Sequence, residues 1–296
     1  MNTSRLSLSV VTLTACILLE KVVGGGVFLH AIVLGTGFPH VILGLKYSRR
    51  GLSGAMGRIT SKLLLLISVP LGILAITYEW DLLVLVFYFG LHHALAETYF
   101  EKEKGNVHKP WKRGLLVVSI FSSYLFATRA DIGFSHAFNA TMLAISLTSS
   151  LIYLFFNRVE LLDKSKFLDY LNNHIWAIIG PGLAVFAIWS PIDWKIIIMY
   201  HFTFYGLLPL LKKDMLHGSK RKKFWIEGAV WNGLGLIFFL ALAVVAIKWN
   251  KPSAIYIPTQ CFLALTYLHI TWSFFISPAN PDWIKRIVGQ GTGSTT

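Results

Sequence analysis

Apolar residues run along this chain in long blocks separated by short polar breaks, from near the first residue to near the last. Blocks near 62–78, 82–100, 113–130, 137–157, 173–190, 194–211, 225–247 and 255–277 each approach the roughly 20 residues that an α-helix needs to cross a bilayer core. The first 45 residues are less regular. Residues 6–45 carry Glu20 and Lys21, then Gly24-Gly25-Gly26, then Gly35, Gly37 and Pro39. They read either as a short helix, a turn at 20–26 and a second span over about 27–45, or as one long helix followed by a broken, re-entrant piece. Non-helical backbone at membrane depth is tolerated only where protein or a cavity covers it.

The pattern predicts an all-α fold: a polytopic transmembrane helix bundle of about nine or ten spans, with no soluble domain. A single integral-membrane domain over 1–288 is expected, followed by a disordered tail at 289–296 made of Gly, Gln, Ser and Thr. No repeat of fixed period is visible. Leu13-Thr14-Ala15-Cys16 resembles a lipoprotein cleavage box. Ile17-Leu18-Leu19 follows in place of a polar linker, so an uncleaved helix is expected.

Composition agrees with the block pattern. Only 14% of residues are charged and 55% are apolar, where soluble domains carry about 25% charged residues. With 10 Trp, 11 Tyr and 21 Phe the chain is far too aromatic for disorder. Its two Cys build no disulfide framework.

The net charge of +13 changes the picture more. In a soluble protein it would suggest nucleic acid. Here the charge sits in alternate loops. The 46–62 loop holds Lys46, Arg49, Arg50, Arg58 and Lys62, and the next, 79–81, holds only Glu79 and Asp81. The 101–113 loop is basic, 129–135 nearly neutral, 158–169 basic and 191–195 nearly bare. The 212–223 loop is the richest, with Lys212, Lys213, Lys220, Arg221, Lys222 and Lys223. Only 248–252, with Lys248 and Lys251, interrupts the alternation. This is the positive-inside pattern, and it puts the C-terminus on the cytoplasmic side. No nucleic-acid partner is expected, because no soluble domain offers an aromatic–basic patch.

Ionisable residues inside spans are expensive and mark partners or sites. The apolar blocks contain His30, His40, His92, His93, Glu97, His201 and His269, whereas His136 and His174 fall at span ends within reach of water or headgroups. His92 and His201 sit near the middle of their spans. His269 lies roughly 5 Å past the middle of its span, and His40 roughly 6 Å past the middle of 27–45. With the orientation above, His40, His92, His201 and His269 lie in one layer, slightly toward the cytoplasmic side. Neutral imidazoles suit iron, copper, zinc and nickel, so this layer is a candidate metal site. The bland alternative is four histidines each hydrogen-bonded within a helix interface. Ten residues, or about 15 Å of straight helix, separate His30 from His40, so His30 is read as structural. His93 points about 100° away from His92 and shares a face with Glu97, which suggests a local pair. Tyr205 follows His201 by one turn. Pro39 frees the carbonyl one turn earlier and kinks its helix.

At these positions the chain resembles the bacterial β-carotene 15,15′-dioxygenases of the Brp/Blh family. These are membrane proteins of about this length that cleave β-carotene to retinal. Gly37-Phe38-Pro39-His40 resembles the family's Gly-Leu-Pro-His segment, and His92-His93-Ala94-Leu95-Ala96-Glu97 resembles its His-Phe-Gly-x-x-Asp segment. Ala187-Ile188-Trp189-Ser190-Pro191 leading to His201-Phe202-Thr203-Phe204-Tyr205 is similar to the stretch that carries a His-x-x-x-His pair. Ala264-Leu265-Thr266-Tyr267-Leu268-His269 is similar to the family's last segment, Ala-Leu-Thr-x-Pro-His. The order and rough spacing of all four segments match. Tyr205 replaces the second His of the pair, Glu97 replaces an Asp, Leu268 replaces a Pro, and the Asp that follows the first segment is Gly44 or absent.

The resemblance implies a bacterial plasma-membrane enzyme that uses Fe(2+) and dioxygen to cleave a hydrophobic polyene or lipid substrate. It implies His40, His92 and His201 as iron ligands, with His269 or Tyr205 completing the set, and Tyr205 and Glu97 as catalytic candidates. Trp272, Phe204 and Tyr205 are candidates to pack against the polyene. The rival function is a multi-span transporter or proton relay using the same histidines. It predicts an inverted repeat and paired carboxylates in the spans, and the sequence shows neither. A bis-histidine haem protein is a third alternative.

Overall fold

In the computed structural model, residues 3–23, 26–47, 57, 60, 62–63, 66–70, 72, 81–103, 110–158, 167, 174–211, 218–276 and 282–287 are described. These are almost wholly helical, with no strand among them. The helices are α1 (Thr3–Val23), α2 (Val27–Tyr47), α3 (Asp81–Glu103), α4 (Pro110–Ala127), α5 (Arg129–Ile132) and α6 (His136–Phe156). They continue with α7 (Ile175–Trp189), α8 (Trp194–Leu211), α9 (Gly218–Lys248), α10 (Ser253–Ile276) and α11 (Asp282–Ile287). Most of the block expected at 62–78, and the tail expected at 289–296, lie outside the described residues.

Local chemistry sets several boundaries. Pro110 occupies the first position of α4, where its missing N–H costs nothing. Gly133 takes a left-handed φ of 70° and closes α5, and Ser135 then caps α6 by accepting from the Phe138 N–H at 3.2 Å. Asn250, with φ 49°, and Pro252 end α9. At the N-terminus the structure has two separate helices of 21 residues, the first of the two arrangements considered for that stretch. Glu20 and Lys21 belong to the last turn of α1 rather than to the turn, and pair locally at 3.8 Å. Lys220, Arg221, Lys222 and Lys223, read as loop, form the first turns of α9.

The chain divides into two compact units. The first holds Thr3–Tyr47 and Asp193–Thr266, that is α1, α2, α8, α9 and the first part of α10. Its tightest seam is α2 on α9. A Cβ on Gly235 would lie 2.5 Å from the Gly35 carbonyl oxygen, and a Cβ on Gly35 would lie 2.8 Å from the Leu236 Cα. Two glycines thus let two helix backbones touch. Pro39 explains the position: it has no N–H to give the Gly35 carbonyl one turn earlier, and that carbonyl faces Gly235 instead. The proline therefore sits inside a helix that continues to Tyr47, not in a broken segment. Lys46 joins Glu227 of α9 at 2.7 Å, and Phe38 stacks on Phe239 at 5.3 Å. On the other side of the unit α1 packs against α8, with the Tyr200 hydroxyl donating to Ser9 Oγ at 3.2 Å.

The second unit holds Ser48–Ile192 and Tyr267–Thr296, including α3 to α7, the rest of α10 and α11. Here α4 packs against α3, α6 and α7. Its seam with α6 is made of hydroxyls. Ser119 bonds Ser150, Ser123 and Ser146 lie 2.6 Å apart, and Ser119 also donates to the Ser146 carbonyl at 3.4 Å. Gly180 of α7 leaves room beside Ser123. Arg129 ties two helix ends together. It donates to the Phe126 carbonyl at 3.1 Å and to the Ala187 carbonyl at 2.6 Å, with its guanidinium over the Phe126 ring.

The polarity of α6 is inverted relative to a helix folded in water. Its buried residues are Ser146, Ser149, Ser150 and Tyr153. Leu151 is 67% exposed, and Phe155 and Phe156 are also exposed. The long helix α9 likewise exposes Ile226, Val230, Leu234, Ile237 and Val244. In water such a surface would be a large uncovered apolar patch; in hydrocarbon it is the natural outside, with small polar residues at the seams. Among the described residues four helical stretches are long and apolar enough to cross a membrane: Arg5–Val23, Val27–Gly44, His136–Phe156 and Gly218–Lys248.

Candidate metal centre

The structure brings the four layer histidines together two by two. In the first unit, α2 supplies His40 and α8 supplies His201, with ring centroids 5.5 Å apart and planes at 69°. The Phe202 ring stands 4.7 Å from His40, and the Tyr205 ring 4.4 Å from His201. Tyr205 reaches His201 because four residues on a helix is one turn. Gly37, one turn before His40, lets two rings approach α2: a Cβ there would lie 2.4 Å from Phe262 and 2.8 Å from Phe202. His201 is buried and His40 half-buried. Phe204 is fully buried against Tyr200, with stacked rings 5.4 Å apart.

In the second unit, α3 supplies His92 and α10 supplies His269, with centroids 6.0 Å apart and planes at 79°. Phe274 lies 6.2 Å from His92 and 5.3 Å from Tyr88. Tyr88 precedes His92 by one turn and so shares its face. Its hydroxyl donates to Thr271 Oγ1 at 3.0 Å, and Thr271 in turn donates to the Tyr267 carbonyl at 2.8 Å. That chain fixes the tyrosine ring beside the histidine pair. The i, i+4 spacing from His92 to Tyr88 was the signal that could have identified it in the sequence.

The other ionisable residues fall elsewhere. His93 is fully buried and packs edge-on against Trp176 at 4.8 Å, with Phe89 stacked at 6.1 Å. Glu97 is buried one turn further along α3. Trp272 is half-buried on α10. His30 lies near the start of α2, where Asp193 and Lys195 act on it electrostatically. Asp193 accepts from the Lys195 N–H at 2.9 Å and pairs with its Nζ at 2.8 Å. His136 is exposed, as expected for a span end. His174 corrects its expectation. It is buried, and its Nδ1 shares a hydrogen bond of 3.0 Å with the Tyr153 hydroxyl. Packing of α7 against α6 covers it, and sequence distance from a loop does not reveal that.

Two imidazoles on one first-row metal, each with a metal–nitrogen distance near 2.1 Å, place their ring centroids about 4.5 to 6.5 Å apart. Both pairs fall within that window. Each pair supplies two donors, whereas catalytic metal sites use about three protein ligands. Among the described residues no group of three or more His, Cys, Asp and Glu is placed to hold a metal ion. Each pair taken by itself is thus an incomplete ligand set. Compared with known protein families, characterised proteins and solved structures, the chain matches none.

Proposed function

We propose that this chain is an integral membrane protein of nine or ten spans, and that it is a non-haem iron dioxygenase cleaving a carotenoid-like polyene. The C-terminus lies on the cytoplasmic side in this proposal, and by the resemblance the membrane is a bacterial plasma membrane and the reaction is β-carotene to retinal. The observation that carries the reading is the pairing of His40 with His201 and of His92 with His269, at separations compatible with two imidazoles on one ion. The inverted polarity of α6 and α9 supports the membrane.

His40 with His201, and His92 with His269, are the residues that would hold iron(II), which when bound would supply the dioxygen chemistry. The work of the protein around it is positional. Tyr205 packs on His201, Phe202 packs on His40, and the Tyr88–Thr271 hydrogen bond braces the face of α3 that carries His92. Aromatic rings beside both pairs suit contact with an extended π-system.

Expression in cells that accumulate β-carotene tests the activity. Loss of orange colour with formation of retinal is expected; unchanged pigment and no retinal would refute the substrate. Purified protein containing no iron would refute the iron assignment, and a haem spectrum would replace it with bis-histidine haem.

A further inference from the structure

Hydroxyls on the helices of the first unit are ordinarily bonded to their own backbone. Thr36 donates to the Ile32 carbonyl at 2.9 Å, and Thr259 to the Ile255 carbonyl at 2.8 Å. Farther along α10, Thr271 and Ser273 do the same toward Tyr267 and His269. This i to i−4 bond is the default for such residues in a helix. Thr266 breaks the rule. Its residue is 2% exposed, and its Oγ1 is buried with no hydrogen-bond partner among the described residues.

A buried orphan hydroxyl costs free energy unless something outside the resting protein satisfies it. Its place suggests what. Thr266 stands one turn beyond Phe262 on the same face of α10. The Phe262 ring packs with Phe38 at 5.5 Å and Phe202 at 5.9 Å, and Phe202 touches His40. The Thr266 hydroxyl is therefore a buried, unsatisfied polar group one turn from the phenylalanine cluster that touches His40. In a mostly apolar site, a few placed polar groups orient a ligand that is mostly hydrocarbon.

We propose that Thr266 is the hydrogen-bonding anchor of this site, and that the site prefers an isoprenoid bearing a hydroxyl or carbonyl to a bare hydrocarbon such as β-carotene. This rests on the polyene reading above and narrows its substrate class. A site built to bond a ligand hydroxyl discriminates against the analogue without it, because the protein group is then left buried and unsatisfied.

Polyene binding to the detergent-purified full-length protein, read by quenching of tryptophan fluorescence, tests the anchor independently of catalysis. β-Carotene and its dihydroxy derivative zeaxanthin are compared on wild type, Thr266→Val and Thr266→Ser. Wild type is expected to bind zeaxanthin roughly tenfold to a hundredfold more tightly than β-carotene. The valine variant loses that preference while keeping its β-carotene affinity, and the serine variant retains the preference. Without ligand, the valine variant unfolds at the same temperature as wild type or higher, since a methyl group replaces an unsatisfied hydroxyl of equal size. Equal binding of the two polyenes by wild type, or a preference that survives in the valine variant, overturns the anchor and leaves the polyene reading standing. A valine variant that unfolds at a clearly lower temperature also overturns it, because the hydroxyl then has a protein partner. Failure of both polyenes to bind removes the polyene reading and the anchor with it.

Discussion

Gly235→Ala tests the contact on which the first unit is built. The added methyl would lie 2.5 Å from the Gly35 carbonyl oxygen and 3.3 Å from Pro39 Cγ. A helix carbonyl cannot rotate away, so α2 and α9 must part. Ordinary contact begins at 3.4 Å, which requires a separation of ~0.9 Å at the crossing. A gap of that size forfeits a quarter to a half of the dispersion energy of the atoms lining it, and overpacking of this kind typically costs about 1–3 kcal/mol. Alanine also returns up to ~1 kcal/mol of helix propensity, which blurs a single measurement. Gly233→Ala removes the ambiguity. It lies two residues away on the same helix, has nothing within 4 Å of its Cβ, and gains the same propensity. The difference between the two variants isolates the crossing and is expected to be about 1–3 kcal/mol, with Gly235→Ala the less stable. Unfolding by SDS in mixed micelles, followed by far-ultraviolet circular dichroism, measures it. If Gly235→Ala proves as stable as Gly233→Ala, the helices do not touch backbone to backbone there and the account of Pro39 fails with it.

Arg129→Ala removes charge-assisted bonds to the ends of α4 and α7 and is expected to destabilise by about 1.5–3 kcal/mol in the same assay, with Arg129→Lys recovering part; no loss would mean the clamp is idle. Tyr88→Phe deletes the bond to Thr271 and leaves Thr271 still donating to Tyr267, so a loss of only about 0.5–1.5 kcal/mol is expected. Lys46→Gln is expected to cost under ~1 kcal/mol, because Lys46 is half exposed, and the cost should shrink in high salt. Iron content by mass spectrometry is expected to fall in the double variants His40→Ala with His201→Ala and His92→Ala with His269→Ala; a pair whose removal leaves the iron unchanged supplies no ligand.

The helices were legible in the sequence because their apolar blocks are long and end at polar or Pro/Gly breaks: blocks such as 137–157 and 194–211 fall within a residue or two of α6 and α8. The rotation of each helix about its axis was not legible. Depth alone placed four histidines in one layer, whereas their pairing depends on which faces meet across separations such as that from His40 to His201. Gly35, Gly37 and Pro39 signalled an irregularity correctly, and its resolution depended on a glycine of α9 that no local pattern connects to them. His174 was misplaced for the same reason, since its hydrogen-bond partner Tyr153 lies on α6. Thr266 carried no signal at all, because a threonine in a helix normally satisfies itself.

The serine seam between α4 and α6 bears on how such a chain is made. Lipid tails are as apolar as leucine, so no hydrophobic force draws two inserted helices together. Insertion and adhesion then become separate steps governed by different residues. In the membrane reading, the outward leucines and phenylalanines of α6 would determine whether it enters the bilayer, and the inward hydroxyls whom it joins afterwards. A chain cut at Gly133-Phe134 and expressed as two fragments is accordingly expected to insert as two pieces and reassemble. Replacing Ser119 and Ser123 with leucine should weaken copurification of the fragments, which the α2–α9 and α4–α7 contacts still join, while both remain in the membrane. Assembly of this protein would then rest on the seams between its helices more than on the continuity of its backbone.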